Sequence, residues 1–532
     1  MNNVELMVRM LERAGVRWVF GVPSGPVLAL IEALRKSDRV EFVLTASETS
    51  AGFMAEAVGR TTGVPGVCVS TVGPGATNLA TGVGGAYLDR SPMIAITCNF
   101  ARSQYGRRTQ MAIDHRALFA PLTKASYLVE EGHVAEMLAR ALGLAMSEPP
   151  GPVHLDFPED VGMAEATEQP LDAVAPTAAT APPADVGARV ERALRVAERP
   201  LVVAGLTFTR AKAPAALLAF IERQHVPFAT TLHAKGFLPD SHPAGFGVMG
   251  RARRTDVQRM MDQADLVVTV GFDPIEIDYE DWLGETPLVH LSTEPVEPGT
   301  RANVMYEAAG DLDGIIAELA SIPAVENAWD RDAWAAHRVS LASALRPASD
   351  GLASHAVLDV LRGALPADAI LTYDVGAHTH QIASQWQTDL PHTALATNGW
   401  SSMGYGMPSA YAAKLAFPDR LVVGVVGDGG FQMTVGELAM ARRLGLAVPI
   451  IVLNDGWLGL MKVKQERLSL AYSASALGKQ MEPPAHYFGV PVRAARTLDE
   501  VGEALRWGLA LDGPSLIEAF VDVEPYSKTV FD

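Results

Sequence analysis

Short apolar, β-branched runs alternate along this chain with stretches whose apolar residues recur at helical spacing. The runs predict buried strands over residues 18–20, 42–44, 67–70 and 93–97, then 201–204, 266–270 and 288–291, and finally 370–373, 421–426, 448–453 and 515–520. Strands that alternate with helices pair in parallel, because each crossover returns the chain to the same end of the sheet. Two stretches interrupt the alternation. Residues 164–186 are rich in Ala, Pro and Thr without a sustained apolar period; residues 321–350 are mixed, and loop-forming residues 347–351 close them. The pattern predicts an α/β protein of three doubly wound parallel-sheet domains, at 1–163, 187–322 and 350–532. The first and third blocks have similar patterns.

One segment is more specific than the rest. The apolar run 421–426 ends at Gly427-Asp428-Gly429-Gly430. Residues 431–444 have helical spacing and stop at Gly445, and a second apolar run, 448–453, ends at Asn454-Asp455-Gly456. Strand, crossover helix and strand make a βαβ unit. Asp428 and Asn454 then lie at one edge of one sheet, each just past a strand's carboxyl end, where open α/β sheets bind ligands. A carboxylate and an amide oxygen suit a hard cation such as magnesium. The glycines let a phosphate approach the backbone N–H groups of the following helix. Each motif alone is an ordinary turn; the pair, with 24 residues between Gly429 and Asn454, is a stronger signal.

Composition narrows the class. The net charge of −18 argues against nucleic acid or an acidic membrane as a partner. No run approaches the ~20 apolar residues of a membrane span, and the amino terminus reads as an amphipathic helix with acidic positions rather than a targeting peptide. Cys68 and Cys98 fall in apolar runs and read as core thiols, which fits a reducing cytoplasm.

A second group of candidates follows the strand at 42–44. Glu48 stands between that strand and a helix opened by small and apolar residues. A carboxyl in such surroundings is expected to have a raised pKa and to exchange a proton near neutral pH. A helix-start glutamate favoured by the macrodipole explains it equally well. The loop 70–78, STVGPGATN, has glycines suited to a ligand's close approach or to a plain turn.

Together these motifs resemble those of thiamine-diphosphate enzymes, whose metal signature has the same Gly-Asp-Gly to Asn spacing. Loop 70–78 is similar to the family's TSGPGATN. The likeness runs over almost the whole chain and is strongest to acetolactate synthases, through FMAEAVGRTTGVPGVC, FAPLTK, GFDPIEID, DVGAH, SMGYGMPSA and GDGGFQMTVGEL; GFDPIEID and VGRTTGVPGVC look most like the catabolic, flavin-independent type. The resemblance implies a pyrimidine-binding, a central and a pyrophosphate-binding domain. It implies that Asp428, Asn454 and the carbonyl of Gly456 hold magnesium on thiamine diphosphate, with Gly427, Gly429, Gly430, Trp457 and Leu458 around it. Gly376, Ala377 and His378 would approach the diphosphate, and Met403 would prop the cofactor into its bent form. Glu48 would hydrogen-bond the aminopyrimidine ring and so promote proton loss from the reactive carbon. His378 also reads as an ordinary loop histidine, Met403 as a core residue, and Lys124, which matches a family lysine, as a solvated cation. No flavin is expected, because residues 201–204 are followed by GLTFTR, without a dinucleotide glycine fingerprint.

The expected activity is decarboxylation of a pyruvate-like 2-oxo acid followed by carboligation, as in acetolactate synthase. A plain 2-oxo acid decarboxylase or another C–C lyase is the alternative; joint presence of Glu48, Asp428 and Asn454 argues against a non-catalytic regulatory homologue. The family's sites lie between the first domain of one subunit and the third of another, so a homodimer at least is implied, with homotetramers common among relatives. The acceptor side departs from the family pattern. Ser47-Glu48-Thr49 stands where His-Glu-Gln is common, and Met111 stands where a glutamine usually faces the acceptor. Lys462 and Lys464 either bind a substrate carboxylate or form a solvated helix face.

Overall fold

A computed structural model of the chain describes residues 1–250, 255–472, 474–478 and 480–530. The first block builds a six-stranded sheet from β1 (Trp18–Gly21), β2 (Glu41–Leu44), β3 (Gly66–Ser70), β4 (Met93–Asn99), β5 (Ala125–Leu128) and β6 (Pro152–Pro158), in the order β2-β1-β3-β4-β6-β5. Every pairing in it is parallel. Helices cover both faces, so β1, β3, β4 and β6 are buried throughout. The pattern missed β6 because His154 and Asp156 interrupt its apolar run.

The central block has β7 (Pro200–Ala204), β8 (Phe228–Thr231), β9 (Gly245–Met249), β10 (Leu266–Val270), β11 (Leu288–Ser292) and β12 (Val304–Ala309), in the order β12-β11-β10-β7-β8-β9. That is the strand order of dinucleotide-binding folds. The third block has β13 (Ile370–Tyr373), β14 (Ala394–Leu395), β15 (Val422–Gly427), β16 (Pro449–Asn454), β17 (His486–Tyr487), β18 (Val490–Ala495) and β19 (Ser515–Phe520), in the order β14-β13-β15-β16-β19-β18-β17. Its pairings are parallel except the short β17–β18 hairpin. With β17 set aside, this is the strand order of the first sheet. The similar patterns of the two blocks reflect one topology.

Two local expectations need correction. Residues 431–444 do not form one helix: Asp428–Thr434 and Glu437–Leu444 are separate helices meeting at Val435-Gly436. Residues 321–350 hold a helix, Arg331–Ala344, whose Trp334 and Leu341 join the central core with Leu345. Its many alanines and charges hid the apolar period.

The first and third domains share one core. Helices Glu48–Thr62 and Pro74–Leu88 cross so closely that a Cβ on Gly52 would lie 2.7 Å from Gly82 Cα. Both glycines are needed for backbone to meet backbone. The helix Gly406–Ala416 packs against Glu48–Thr62, burying Leu79, Val83, Met407 and Tyr411 completely. Each such side chain contributes about 1.5–3 kcal/mol, so the elements that carry both halves of the candidate site are rigidly joined. No helix among the described residues is long and apolar enough to cross a membrane.

Candidate active site

β15 and β16 pair in parallel, with Gly427 opposite Leu453. Asp428 and Asn454 therefore emerge together at the carboxyl edge of the third sheet. Gly456 adopts φ +75°, a left-handed turn that glycine allows without strain. The turn aims its N–H at Asp428 Oδ2 at 2.8 Å, while Gly429 N donates to Asp428 Oδ1 at 2.9 Å. Asn454 donates its side-chain N–H to Glu518 Oε1 at 2.6 Å. That bond fixes the amide's orientation and leaves Asn454 Oδ1 buried with no partner. The carbonyl of Gly456 accepts from Leu477 N at 2.8 Å and keeps one lone pair. Burial pushes Asp428 up to about 6, and burial with the charge of Asp428 pushes Asp455 up to about 8. Buried acid thus accumulates at this edge. Among the described residues no three His, Cys, Asp or Glu side chains are grouped to hold a metal, so a cation here would rest on one carboxylate, one amide and one carbonyl.

The surrounding backbone is close-packed. A Cβ on Gly429 would meet Leu458 Cδ2 at 2.9 Å and Met403 Cε at 3.0 Å; one on Gly430 would lie 1.9 Å from Asp374 Oδ2. Asp374 in turn accepts backbone N–H groups from Val375, Gly404 and Tyr405, which fixes the turn after Met403. His378 is wedged between Gly376 and Gly427, where added Cβ atoms would lie 2.8 and 3.0 Å from its Cε1. Its Nε2 is buried without a partner, and burial pushes its pKa down to about 4, so the ring is neutral. Ala377 opens the helix Ala377–Gln385 beside it. Trp457 and Leu458 follow Gly456, tied to residues 475–476 by a bridge from Trp457 to Ala476 and a bond from Leu458 N to Ser475 O.

Glu48 begins the helix Glu48–Thr62 and is buried. Ser47 caps that helix by accepting from Ser50 N at 3.2 Å. Thr49 donates to the carbonyl of Asn78 at 2.7 Å, and Asn78 donates to Glu48 Oε2 at 3.1 Å. Glu48 Oε1 lies over Gly75, 3.2 Å from where a Cβ would stand. The segment 70–78, which the structure folds as a turn at 71–73 and the opening of the helix Pro74–Leu88, thus carries the glutamate's immediate partners. Its turn at Gly73 has φ +55°, and Gly73 N donates to His115 Nε2 at 3.3 Å. From the third domain, Glu437 accepts the N–H of Ala46 at 3.0 and 3.1 Å and braces the turn into Glu48.

The whole chain answers to this geometry by comparison as well. Residues 1–118 match the thiamine pyrophosphate enzyme N-terminal TPP binding domain, 188–319 its central domain and 374–519 its C-terminal TPP binding domain. The chain is 31% identical to the acetolactate synthase isozyme 1 large subunit of Escherichia coli (strain K12), over 98% of this chain and 94% of that one. It is 31% identical to the acetolactate synthase of Bacillus subtilis (strain 168), over 98% and 93%. The chain belongs to the thiamine pyrophosphate enzyme family.

As such an enzyme it has features that the motifs did not reveal. Asp374, Glu437 and Glu518 hold the loops rather than face the cleft; the first two lie within DVGAH and GDGGFQMTVGEL, but their partners are distant in sequence. Lys124 is neither solvated nor near this site: its ammonium donates to the carbonyls of Leu144, Ser147 and Pro149 at 2.6–2.7 Å and caps a helix end. Lys462 is buried and paired with Glu466 and Glu524 at 2.5 and 2.9 Å, so it does not form a solvated face. Met111 is exposed at φ +65°, its carbonyl against Gly73 beside the Glu48 turn.

Proposed function

We propose that this enzyme uses thiamine diphosphate and magnesium to decarboxylate a pyruvate-like 2-oxo acid and to join the remaining acyl group to a second 2-oxo acid, as an acetolactate synthase does. The observation that carries the reading is the coexistence of two half-sites: Glu48 with its Asn78 and Gly75 partners, and Asp428 beside the unpartnered Asn454 oxygen. The second fits a magnesium–diphosphate group. Asn454 Oδ1 lacks a partner that a cation would supply, and Gly429 and Gly430 leave no side chain in the approach. Asp428, Asn454 and the Gly456 carbonyl would hold the metal; Gly427, Gly429, Gly430, Trp457 and Leu458 would surround the diphosphate, with His378, Gly376 and Ala377 on its other side.

When bound, thiamine diphosphate supplies the thiazolium carbon that adds to the keto group and takes up the electrons released with carbon dioxide. The chain's residues orient and protonate. Asn78 occupies Glu48 Oε2, so Oε1 is the atom at which Glu48 holds and returns a proton. Met403, kept in place by the Asp374 clamp on Gly404, supports the cofactor's bend. Exposed Leu44, Met111 and Ile113 on the first-domain side, with Met433, Leu468 and Leu470 on the third, support burial of both halves against a second copy, hence a homodimer or homotetramer. Two free buried thiols support a cytoplasmic location.

Flavin has no role in this proposal. A cavity of about 400 Å³ does lie past β10 and β11, but its one arginine among the described residues, Arg90, is paired with Asp273, and Asp278, Glu294 and Glu297 line the rest and would repel a dinucleotide's phosphates. Met111 in place of an amide supports a second reading, a simple decarboxylase or a lyase with another acceptor. Incubation with pyruvate, reading carbon dioxide, acetolactate and acetaldehyde, separates them. Carbon dioxide without acetolactate would reject the ligase reading; no turnover of any 2-oxo acid would reject both.

A further inference from the structure

The segment between β14 and the helix Gly406–Ala416 belongs to the third domain, yet it is held from outside. Arg60 donates to the Ala396 carbonyl at 2.8 Å. Asp89 Oδ1 accepts the backbone N–H groups of Asn398 at 3.2 Å and Gly399 at 2.7 Å. Asn398 Nδ2 donates to the Glu276 carbonyl at 3.4 Å. Trp400 lies on Gly84, where a Cβ would be 2.8 Å from its ring. Met403 follows.

Asp89 caps the first-domain helix Pro74–Leu88, and Glu276 lies past β10 in the central domain. Between their carboxylates sits His233, just past β8. Its Nδ1 is 2.9 Å from Glu276 Oε1 and its Nε2 is 3.5 Å from Asp89 Oδ1. Glu276 Oε2 accepts Leu206 N at 2.8 Å. All three side chains are buried. Only Nδ1 makes a hydrogen bond, to Glu276; Nε2 makes none and meets Asp89 as a charge across 3.5 Å. A neutral ring would leave the Asp89 carboxylate without that charge, whereas an imidazolium balances both buried carboxylates.

The other charged groups packed here have carboxylate partners of their own. Arg60 pairs with Glu56 at 3.1 Å and also attracts Asp89, Lys235 pairs with Asp240 at 2.6 Å and Arg90 with Asp273 at 2.9 Å. His392, which borders the same small cavity, is kept neutral by burial, its pKa pushed down to about 4.

We propose that His233, Asp89 and Glu276 are positioning residues: the imidazolium, shared by a first-domain and a central-domain carboxylate, fixes Asp89 against the 398–399 backbone and so holds the third-domain loop of Met403 in place for the cofactor. The proposal rests on the reading of Met403 as a cofactor-site residue. Burial disfavours charge on His233, but the Asp89 and Glu276 carboxylates outweigh it and push its pKa up to about 9, from 6.5. A raised folded-state pKa means that the contribution is complete below pH 6.5 and is lost as pH rises through about 9.

Trp400 reports the loop directly, without cofactor. Its emission is the difference between the wild-type protein and Trp400→Phe. In the wild type it is expected to shift to longer wavelength with a midpoint near pH 9. His233→Gln should show the shifted emission already at about pH 7. Asp89→Asn keeps an oxygen for the 398–399 N–H groups but removes one charge from His233, so the midpoint should fall by about one pH unit or more. Titration of the same proteins with thiamine diphosphate and magnesium should show wild-type affinity falling about tenfold or more across the same window, with His233→Gln weak and flat. A wild-type Trp400 signal that is flat from about pH 7 to 10, or an Asp89→Asn midpoint equal to wild type, overturns the proposal. A Trp400 transition as described, in a protein with no affinity for thiamine diphosphate at neutral pH, upholds the latch and overturns the cofactor reading instead.

Discussion

Gly430 is where the site tolerates least. A methyl there would stand 1.9 Å from Asp374 Oδ2 and 3.4 Å from Gly404 N. The carboxylate has nowhere to go: it is buried and accepts N–H groups from Val375 at 2.8 Å, Gly404 at 2.9 and 3.0 Å and Tyr405 at 3.2 Å. Burial pushes its pKa up to about 6 against the pull of those N–H groups, so it is mostly ionised at neutral pH. In Gly430→Ala, overpacking costs about 1–3 kcal/mol and disturbed bonds to an ionised acceptor about 1.5–3 kcal/mol, while alanine in a helix returns about 1 kcal/mol. The net loss is about 1.5–5 kcal/mol, or roughly 3–20 °C in the melting of a domain of this size. Gly429→Ala is the control. Its methyl meets the side-chain ends of Leu458, Met403 and Leu477, which can rotate, so the net change should stay within about 1 kcal/mol. Thermal unfolding of both apo variants, followed by titration with thiamine diphosphate and magnesium, measures the difference. A Gly430→Ala protein that melts with the wild type, or a Gly429→Ala protein that is the worse of the two, would refute the idea that Asp374 is locked.

Four more substitutions probe the remaining contacts. Glu48→Gln should bind thiamine diphosphate within a few-fold of wild type and lose about 10²–10⁴ in turnover; full turnover would remove Glu48 from its assigned role. Glu518→Ala frees the Asn454 amide and should cost about 10–100-fold in magnesium affinity, as loss of a ligand's supporting partner does, measured by magnesium titration at fixed cofactor. Glu437→Ala strips the Ala46 N–H of its charged acceptor and should cost about 1.5–3 kcal/mol in urea unfolding, with Glu437→Gln intermediate. Lys124→Met removes three bonds to carbonyls far from the site, so it should lower the melting temperature by several degrees and leave cofactor affinity unchanged; a change in affinity would mean that Lys124 acts on the cleft.

What could be read from sequence was whatever has a local signature. β15 and β16 are unbroken apolar runs ended by glycine turns, so the parallel pair and the shared edge of Asp428 and Asn454 followed from a few dozen residues. The break at Val435-Gly436 was hidden because apolar spacing continues across it. Contacts between distant segments left no local trace. Glu437 meets Ala46 from 391 residues away, and His233 meets Asp89 only when the first domain closes on the central one. Nothing in the local sequence of Lys124 or Lys462 names a partner, and only the fold shows one capping a helix and the other pairing with Glu524.

The common strand order of the outer sheets explains why the site is divided as it is. Connections that follow corresponding strands correspond: Glu48 opens the helix after β2, and Met403 lies between β14 and the helix after it. Gly75 and Asn78 lie in the first turns of the helix after β3, and Asp428, Gly429 and Gly430 open the helix after β15. Each sheet therefore offers the same set of carboxyl-edge connections, and the helices that follow β2 and β14 pack directly on each other. Topology does not assign the chemistry. The side chains do: the first sheet's edge carries a buried carboxyl with one free oxygen, suited to a proton, and the third sheet's edge carries a carboxylate, an orphaned amide oxygen and bare glycine backbone, suited to a cation and its phosphates. Substitutions that weaken one edge should leave the other's chemistry intact unless they act through the shared helices, and for this reason the 398–403 loop, held from all three domains, is the point at which a distant change can reach both.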